Sequence, residues 1–229
     1  MNRKTSYYRR PVSNMIKAVI FDMDGVLVDS EPAALAQQAK FLKKMGHTLD
    51  EEFAHSLLGI TLRKYWEVLK DHLHLEQDVD ELMHGLHEHM LDFWRSSDIE
   101  KNLGIAELLV RLRDAGIRSA IATSASSQRL PLFLKKLGLE DAFEATVNAN
   151  DIQNSKPAPD IYILAAKRLG VDPRDCVAIE DAQNGVLSAR AAGMKVIGYK
   201  VHHNKQDLSK ADIVLSDFHD VTIELLNGL

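Results

Sequence analysis

Two aspartates one residue apart, Asp22 and Asp24, close a short apolar run and are followed by Gly25. A carboxylate in that setting can attack phosphorus and form an aspartyl phosphate. A second carboxylate two positions on points the same way if the chain leaves a strand in a tight turn, and Gly25 permits that turn. It can protonate a leaving oxygen and then deprotonate an attacking water. Further along, Thr123-Ser124 and Glu180-Asp181 each follow an apolar stretch, and the run Asn154-Ser155-Lys156-Pro157-Ala158-Pro159 lies between a short apolar strand and the helix after it. Several acids brought together repel one another unless a cation joins them. Asp carboxylates, a carbonyl and waters are the oxygen ligands that Mg²⁺ prefers, with substrate phosphate completing the shell. Lys156 would offset the charge of nucleophile and phosphate. Thr123 and Ser124, with nearby backbone N–H groups, would bind phosphate oxygens at a helix start. Phosphoryl transfer asks for an in-line nucleophile and compensation of the negative oxygens, and little else. Each motif has a plainer reading: two solvated acids in a turn for Asp22 and Asp24, a loop lysine for Lys156, a helix N-cap for Thr123.

These groups reach one place only if the elements between them form a parallel sheet. Residues 17–21 are too short and too continuously apolar for a surface helix and read as a buried strand. Glu31-Pro32 opens a helix that Gly46 closes. Residues 47–97 stay helical in character. Beyond them, helical stripes ending at Gly116, Gly138, Gly170 and Gly193 alternate with short strands at 120–122, 143–147, 176–179, 195–199 and 213–215. Such alternation predicts an α/β fold, a Rossmann-like parallel sheet with helices on both faces. Ligands then bind outside the carboxyl ends of the strands, where the candidate residues stand. The all-helical insertion after the first strand predicts a separate cap: an extension over 1–14, a core over 15–30 and 97–229, and a helical cap over 31–96.

The chain resembles the haloacid dehalogenase-like phosphatases, in the subgroup with a small helical cap that includes β-phosphoglucomutase and phosphoglycolate phosphatase. The resemblance spans residues 15 to about 216. It rests on Phe21-Asp22-Met23-Asp24-Gly25-Val26-Leu27-Val28-Asp29-Ser30-Glu31-Pro32, Ile121-Ala122-Thr123-Ser124, Ser155-Lys156-Pro157-Ala158-Pro159-Asp160-Ile161-Tyr162 and Ile179-Glu180-Asp181-Ala182-Gln183-Asn184-Gly185, in the family's order. It implies Asp22 as nucleophile and Asp24 as general acid/base. It also implies Mg²⁺ held by the Asp22 and Asp181 side chains and the Asp24 carbonyl, with Glu180 in support, and Thr123 and Lys156 as phosphate and charge-balancing residues. In the cap, Leu57-Leu58-Gly59-Ile60-Thr61-Leu62-Arg63 matches where family members contact substrate, which makes Gly59, Thr61 and Arg63, with Lys64, specificity candidates. A mutase of the β-phosphoglucomutase type carries a His on the first cap helix and a Lys and an Arg around the cap-loop glycine. Those positions read Ala34, Leu58 and Leu62 here, with Arg63 one place off. That departure favours water as acceptor, and Asp24 argues against dehalogenation. A phosphoacceptor receiver domain also joins Asp, Thr and Lys on a parallel sheet, but it has about half this length, no cap, and its acceptor on the third strand.

Composition narrows the partners. A formal net charge of -5 lacks the basic excess of a phosphate-tracking surface, so no nucleic acid is expected. No apolar stretch reaches the ~20 residues of a membrane helix, and no membrane partner is expected. The lone Cys176 cannot form an internal disulfide and fits a reducing cytoplasm. The basic residues of 1–14 precede no long apolar segment, which is unlike a secretory signal. A cytoplasmic monomer acting on a small phosphorylated metabolite is the expectation. His84, His87 and His89, with His72 and His74, read as a solvated helical surface rather than a zinc site. Trp66 and Trp94 read as packing residues.

Overall fold

A computed structural model describes residues 15–50, 53, 62–201 and 205–229. Gly59, Thr61 and Leu58, the side chain of Leu62, and the extension over 1–14 lie outside the described residues. Strands Ala18–Phe21 (β1), Arg118–Ala122 (β2), Ala145–Val147 (β3), Cys176–Glu180 (β4), Lys195–Tyr199 (β5) and Ile213–Leu215 (β6) form one sheet in the order β3-β2-β1-β4-β5-β6. Every neighbouring pair is parallel. β1 therefore sits inside the sheet, with β2 on one side and β4 on the other, where the strand order reverses direction. That reversal opens a crevice at the carboxyl ends of β1 and its neighbours.

Side chains alternate across β1 and feed two cores. Val19 and Phe21 pack with Leu108 and Leu112 of helix Ile105–Asp114 (α4) and Phe133 and Leu137 of Arg129–Leu137 (α5). Ala18 and Ile20 pack on the other face with Ile161 and Ala165 of Asp160–Leu169 (α6) and Val186 and Ala189 of Gln183–Ala191 (α7). With both faces covered, the strands need continuous apolar runs, and all four residues of β1 are buried.

Between β1 and α4 lie the helices Glu31–Lys44 (α1), Leu62–Leu73 (α2) and Val79–Ser96 (α3). α1 carries Pro at its start, and α3 opens with a capping box between Asp78 and Glu81. Leu42, Trp66, Leu69, Leu82 and Leu86 give these helices a hydrophobic cluster of their own. Trp94, near the end of α3, instead meets Phe133 of α5 edge-on at 5.1 Å and belongs to the sheet's core. No helix of the described residues is long and apolar enough to cross a membrane.

The strands and helices follow the sequence pattern closely, apart from shifts of one or two residues at the ends of β1, β2 and β4 and the following differences. β3 begins at Ala145, not at 143, and the Phe143 ring before it packs edge-on against Phe21 at 5.8 Å. After β2 the helix starts only at Arg129, six positions beyond Thr123, so Thr123 is not the helix N-cap that its residue type allows. A terminal helix, Ile223–Gly228 (α8), capped by Thr222, was not expected; its six residues are too few to show a periodic stripe.

Candidate active site

The strand ends of β1, β2 and β4 converge on one lysine. Lys156 Nζ lies 2.6 Å from Asp22 Oδ1 and 2.6 Å from Glu180 Oε1, and donates to the Ala122 carbonyl at 3.0 Å. Tyr162 of α6 donates its hydroxyl to the same Glu180 oxygen at 2.5 Å, and its ring lies 5.2 Å below the Lys156 ammonium. Asp22 extends β1 by one residue, its N–H donating to the Ile179 carbonyl at 3.0 Å. Oxygens of Asp22, Glu180 and Asp181 all lie within 4.8 Å of one another. Carboxylates this close, with a single ammonium among them, fit a small divalent cation with a preference for oxygen.

Two glycines make the convergence possible. Gly25 has φ +76°, and a Cβ there would stand 2.1 Å from an oxygen of Asp181. Gly185, in the first turn of α7, lies under the Glu180 carboxylate, and a Cβ would stand 2.0 Å from it. The turn that carries Asp24 is closed by Gly25 N–H to the Val28 carbonyl at 2.8 Å. Asn102 clamps it from outside, donating through Nδ2 to the carbonyls of Gly25 at 3.0 Å and Val26 at 2.9 Å. Asp24 stands toward solvent. Its Oδ1 accepts from Ser30 Oγ at 2.5 Å and its Oδ2 from Arg129 Nη2.

The charge balance is uneven. Burial pushes the Asp22 carboxyl up to about 7; the Lys156 ammonium opposes this, and the charges of Glu180 and Asp24 reinforce it. Burial also pushes Asp181 up to about 8, helped by the charges of Asp22 and Glu180. Lys156 is buried too, which alone would lower it, but Asp22 and Glu180 together hold its proton more firmly than usual. One lysine thus leaves the acids short of positive charge.

The other residues singled out by sequence fall into two groups. Thr123 is fully buried at the end of β2, its Oγ1 accepting from Ala125 N–H at 3.0 Å, with Ser124 exposed beside it. Arg63 is not brought to the acids: it pairs with Asp80 across the helical segment. His87 of α3 meets Gln128, just before α5, at 3.1 Å; His89 meets Lys44 at 3.3 Å; and His72 stacks on Phe53 at 3.7 Å. Sequence reasoning gave no role to Tyr162, Ser30, Asn102 or Arg129. The first two lie inside the motifs. Asn102 and Arg129 reach the site from 76 or more positions away and carry no local signal.

Gly185→Ala forces the Glu180 carboxylate off its seat and should destabilise the chain by ~1–3 kcal/mol in urea unfolding; a midpoint unchanged from wild type would contradict the close approach. Asp22 and Asp181 hold protons more tightly when folded than at the ordinary value of 3.8, so the folded chain binds the excess protons between about 4 and 8. Their contribution to stability is complete below that window and is lost as pH rises through it. Thermal melts in chelator should therefore show a falling Tm for this pair from pH 5 to 8, and a Tm difference from Asp22→Asn that grows over that range; a constant difference would contradict it.

Comparison with known proteins agrees with this geometry. A phosphorylated carbohydrates phosphatase of Thermotoga maritima is 32% identical over 192 residues, covering 84% of this chain and 88% of that protein. β-Phosphoglucomutase of Bacillus subtilis is 30% identical, covering 93% of this chain and 94% of its own length. The crystal structure of CbbY from Rhodobacter sphaeroides in complex with phosphate superposes with a TM-score of 0.78 at 26% identity, covering 89% of this chain and 95% of that one. The family model for haloacid dehalogenase-like hydrolases matches residues 19–199, a span that holds Asp22, Asp24, Thr123, Lys156, Glu180 and Asp181. With that match over most of its length, the chain belongs to the haloacid dehalogenase-like hydrolases.

Proposed function

We propose that the chain is a Mg²⁺-dependent phosphatase that hydrolyses a small phosphomonoester, a sugar phosphate or similar metabolite, through an aspartyl phosphate on Asp22. The observation that carries this reading is Asp22 at the end of the central strand, paired at 2.6 Å with Lys156 and beside Asp181. The carbohydrate phosphatase among the relatives supports the substrate class. Asp22 and Asp181, with the Asp24 carbonyl, would hold Mg²⁺, and Glu180 would support them by fixing Lys156. Bound there, the ion would supply positive charge beyond that of Lys156 and would favour the ionised form of Asp22.

The residues then divide the work. Asp22 Oδ attacks phosphorus in line, and the bond from phosphorus to the alcohol oxygen breaks. Lys156 balances the charge of Asp22 and the transferred group, while Thr123, Ser124 and the backbone N–H groups after β2 face the phosphate oxygens. Asp24 gives a proton to the departing oxygen, then takes one from the water that opens the aspartyl phosphate. The helices over 31–96, with their own hydrophobic cluster, act as a cap that sets the substrate and keeps bulk water out. Arg63 would meet substrate only by exchanging Asp80 for it, and Gly59 and Thr61 complete the expected cap contacts. The single buried cysteine supports a cytoplasmic setting, and we take the working unit to be a monomer.

A second reading, a phosphosugar mutase, is favoured by the β-phosphoglucomutase relative. Against it, Ala34 occupies the position where the mutases carry a His, and it packs on the hydrophobic core.

With Mg²⁺ and an aryl phosphate, the chain should release inorganic phosphate, and Asp22→Asn or excess chelator should reduce turnover by at least ~10³-fold. Undiminished turnover in either case would sink the mechanism. Conversion of a sugar 1-phosphate to the 6-phosphate without free phosphate would establish the mutase instead. Asp24→Ala should cost most with poor alkoxide leaving groups, on the order of 10²–10⁴-fold, and least with nitrophenolate; an equal loss across leaving groups would contradict its role as acid.

A further inference from the structure

Arg129, the first residue of α5, donates through Nη2 to Asp24 Oδ2, while Ser30 Oγ holds Oδ1 at 2.5 Å. Both oxygens of the proposed acid/base are therefore occupied by donors. The guanidinium rests on the Phe133 ring at 5.4 Å, and its side chain is 22% exposed. Its Nε is buried without a hydrogen-bond partner. A guanidinium carries five N–H donors and stays charged at any working pH.

This arrangement has a chemical consequence at the leaving group. To serve the departing oxygen, the Asp24 carboxyl must turn away from Arg129. A largely buried cation then loses its counter-ion, which is far costlier than losing an ordinary hydrogen bond. An anion carried by the departing alcohol would take the place of Asp24 on the guanidinium; a neutral alcohol would not. Leaving a group unmatched in one complex and matched in another is how a site discriminates.

We propose that Arg129 is a specificity-determining residue that selects phosphate esters whose alcohol part bears a second anionic group, a carboxylate or another phosphate. The inference rests on the phosphatase reading and on Asp24 acting at the leaving oxygen. Its test is steady-state kinetics with Mg²⁺ on four esters. Glucose 6-phosphate and p-nitrophenyl phosphate have neutral alcohol parts, 2-phosphoglycolate carries a carboxylate, and fructose 1,6-bisphosphate carries a second phosphate. For the wild type, kcat/KM on one of the anionic esters should exceed that on glucose 6-phosphate by ~10-fold or more. Whichever anionic ester is favoured identifies the group.

Arg129→Gln should lower that ratio by ~10–100-fold, and Arg129→Lys, which keeps the charge without the fork, should lower it less. Should Arg129→Gln melt early, the lysine variant alone gives the ratio. Hydrolysis that depends on Asp22 but shows no preference, or a ratio unchanged in folded Arg129 variants, overturns this inference and leaves the phosphatase reading standing. Failure to hydrolyse any ester, or hydrolysis that survives Asp22→Asn, overturns both.

Discussion

The ammonium of Lys156 touches the ends of three strands at once: Asp22 just beyond β1, the Ala122 carbonyl of β2 and Glu180 of β4. It is the cation that lets buried acids lie together, and each of its partners comes from a different part of the chain. Taking it away would leave Asp22 and Glu180 as buried like charges, which costs far more than the hydrogen bonds themselves. The same contact fixes Asp22, because a short carboxylate with one oxygen held has few orientations left. Structure and reactivity thus rest on a single pairing. Tyr162 and Gly185 serve it indirectly, one by holding the shared Glu180 oxygen and the other by leaving room for it.

Around that pairing the site is graded. Asp22 and Glu180 are buried and Asp24 is half-open, so the proposed nucleophile is fixed while the proposed acid/base meets solvent and side chains from other elements. Ser30 lies on the way into the helical segment and Asn102 on the way out, and both touch the Asp24 turn or its carboxyl. The two connections to the inserted helices are therefore built into the turn that carries the second aspartate.

The sheet and its main residues were legible from sequence because their causes are local. Apolar runs bounded by glycines mark buried strands and helix ends, and the residue after each run is by construction at a strand's carboxyl end. That is enough to bring Asp22, Thr123 and Asp181 to one edge; Lys156 reaches it from the loop between β3 and α6. What remained hidden depends on reach across the fold. Arg129 looks like any basic residue at a helix start, and Asn102 like any loop residue, until tertiary packing lays them against the Asp24 turn. Thr123 misled in a smaller way: a hydroxyl after a strand fits a helix cap, but the intervening turn delays the helix to Arg129. The charged face of Arg63 gave no sign that Asp80 would claim it.

The placement of β1 also constrains how the chain comes to be folded. Its partners on either side arrive late: Ala18 pairs with Arg118 in β2 and with Cys176 in β4, and Lys17 meets Asp175 across 158 positions. During synthesis this wholly apolar strand emerges before the others and has no sheet to join until most of the molecule exists. Contacts so distant in sequence slow folding and expose sticky strands meanwhile. The helices that follow β1 have a core of their own, with Trp66 and Leu42 at its centre, and can collapse during that wait. The helical segment proposed as the cap would, on the ribosome, be the first to become compact, and the strand that leads to Asp22 among the last to be enclosed.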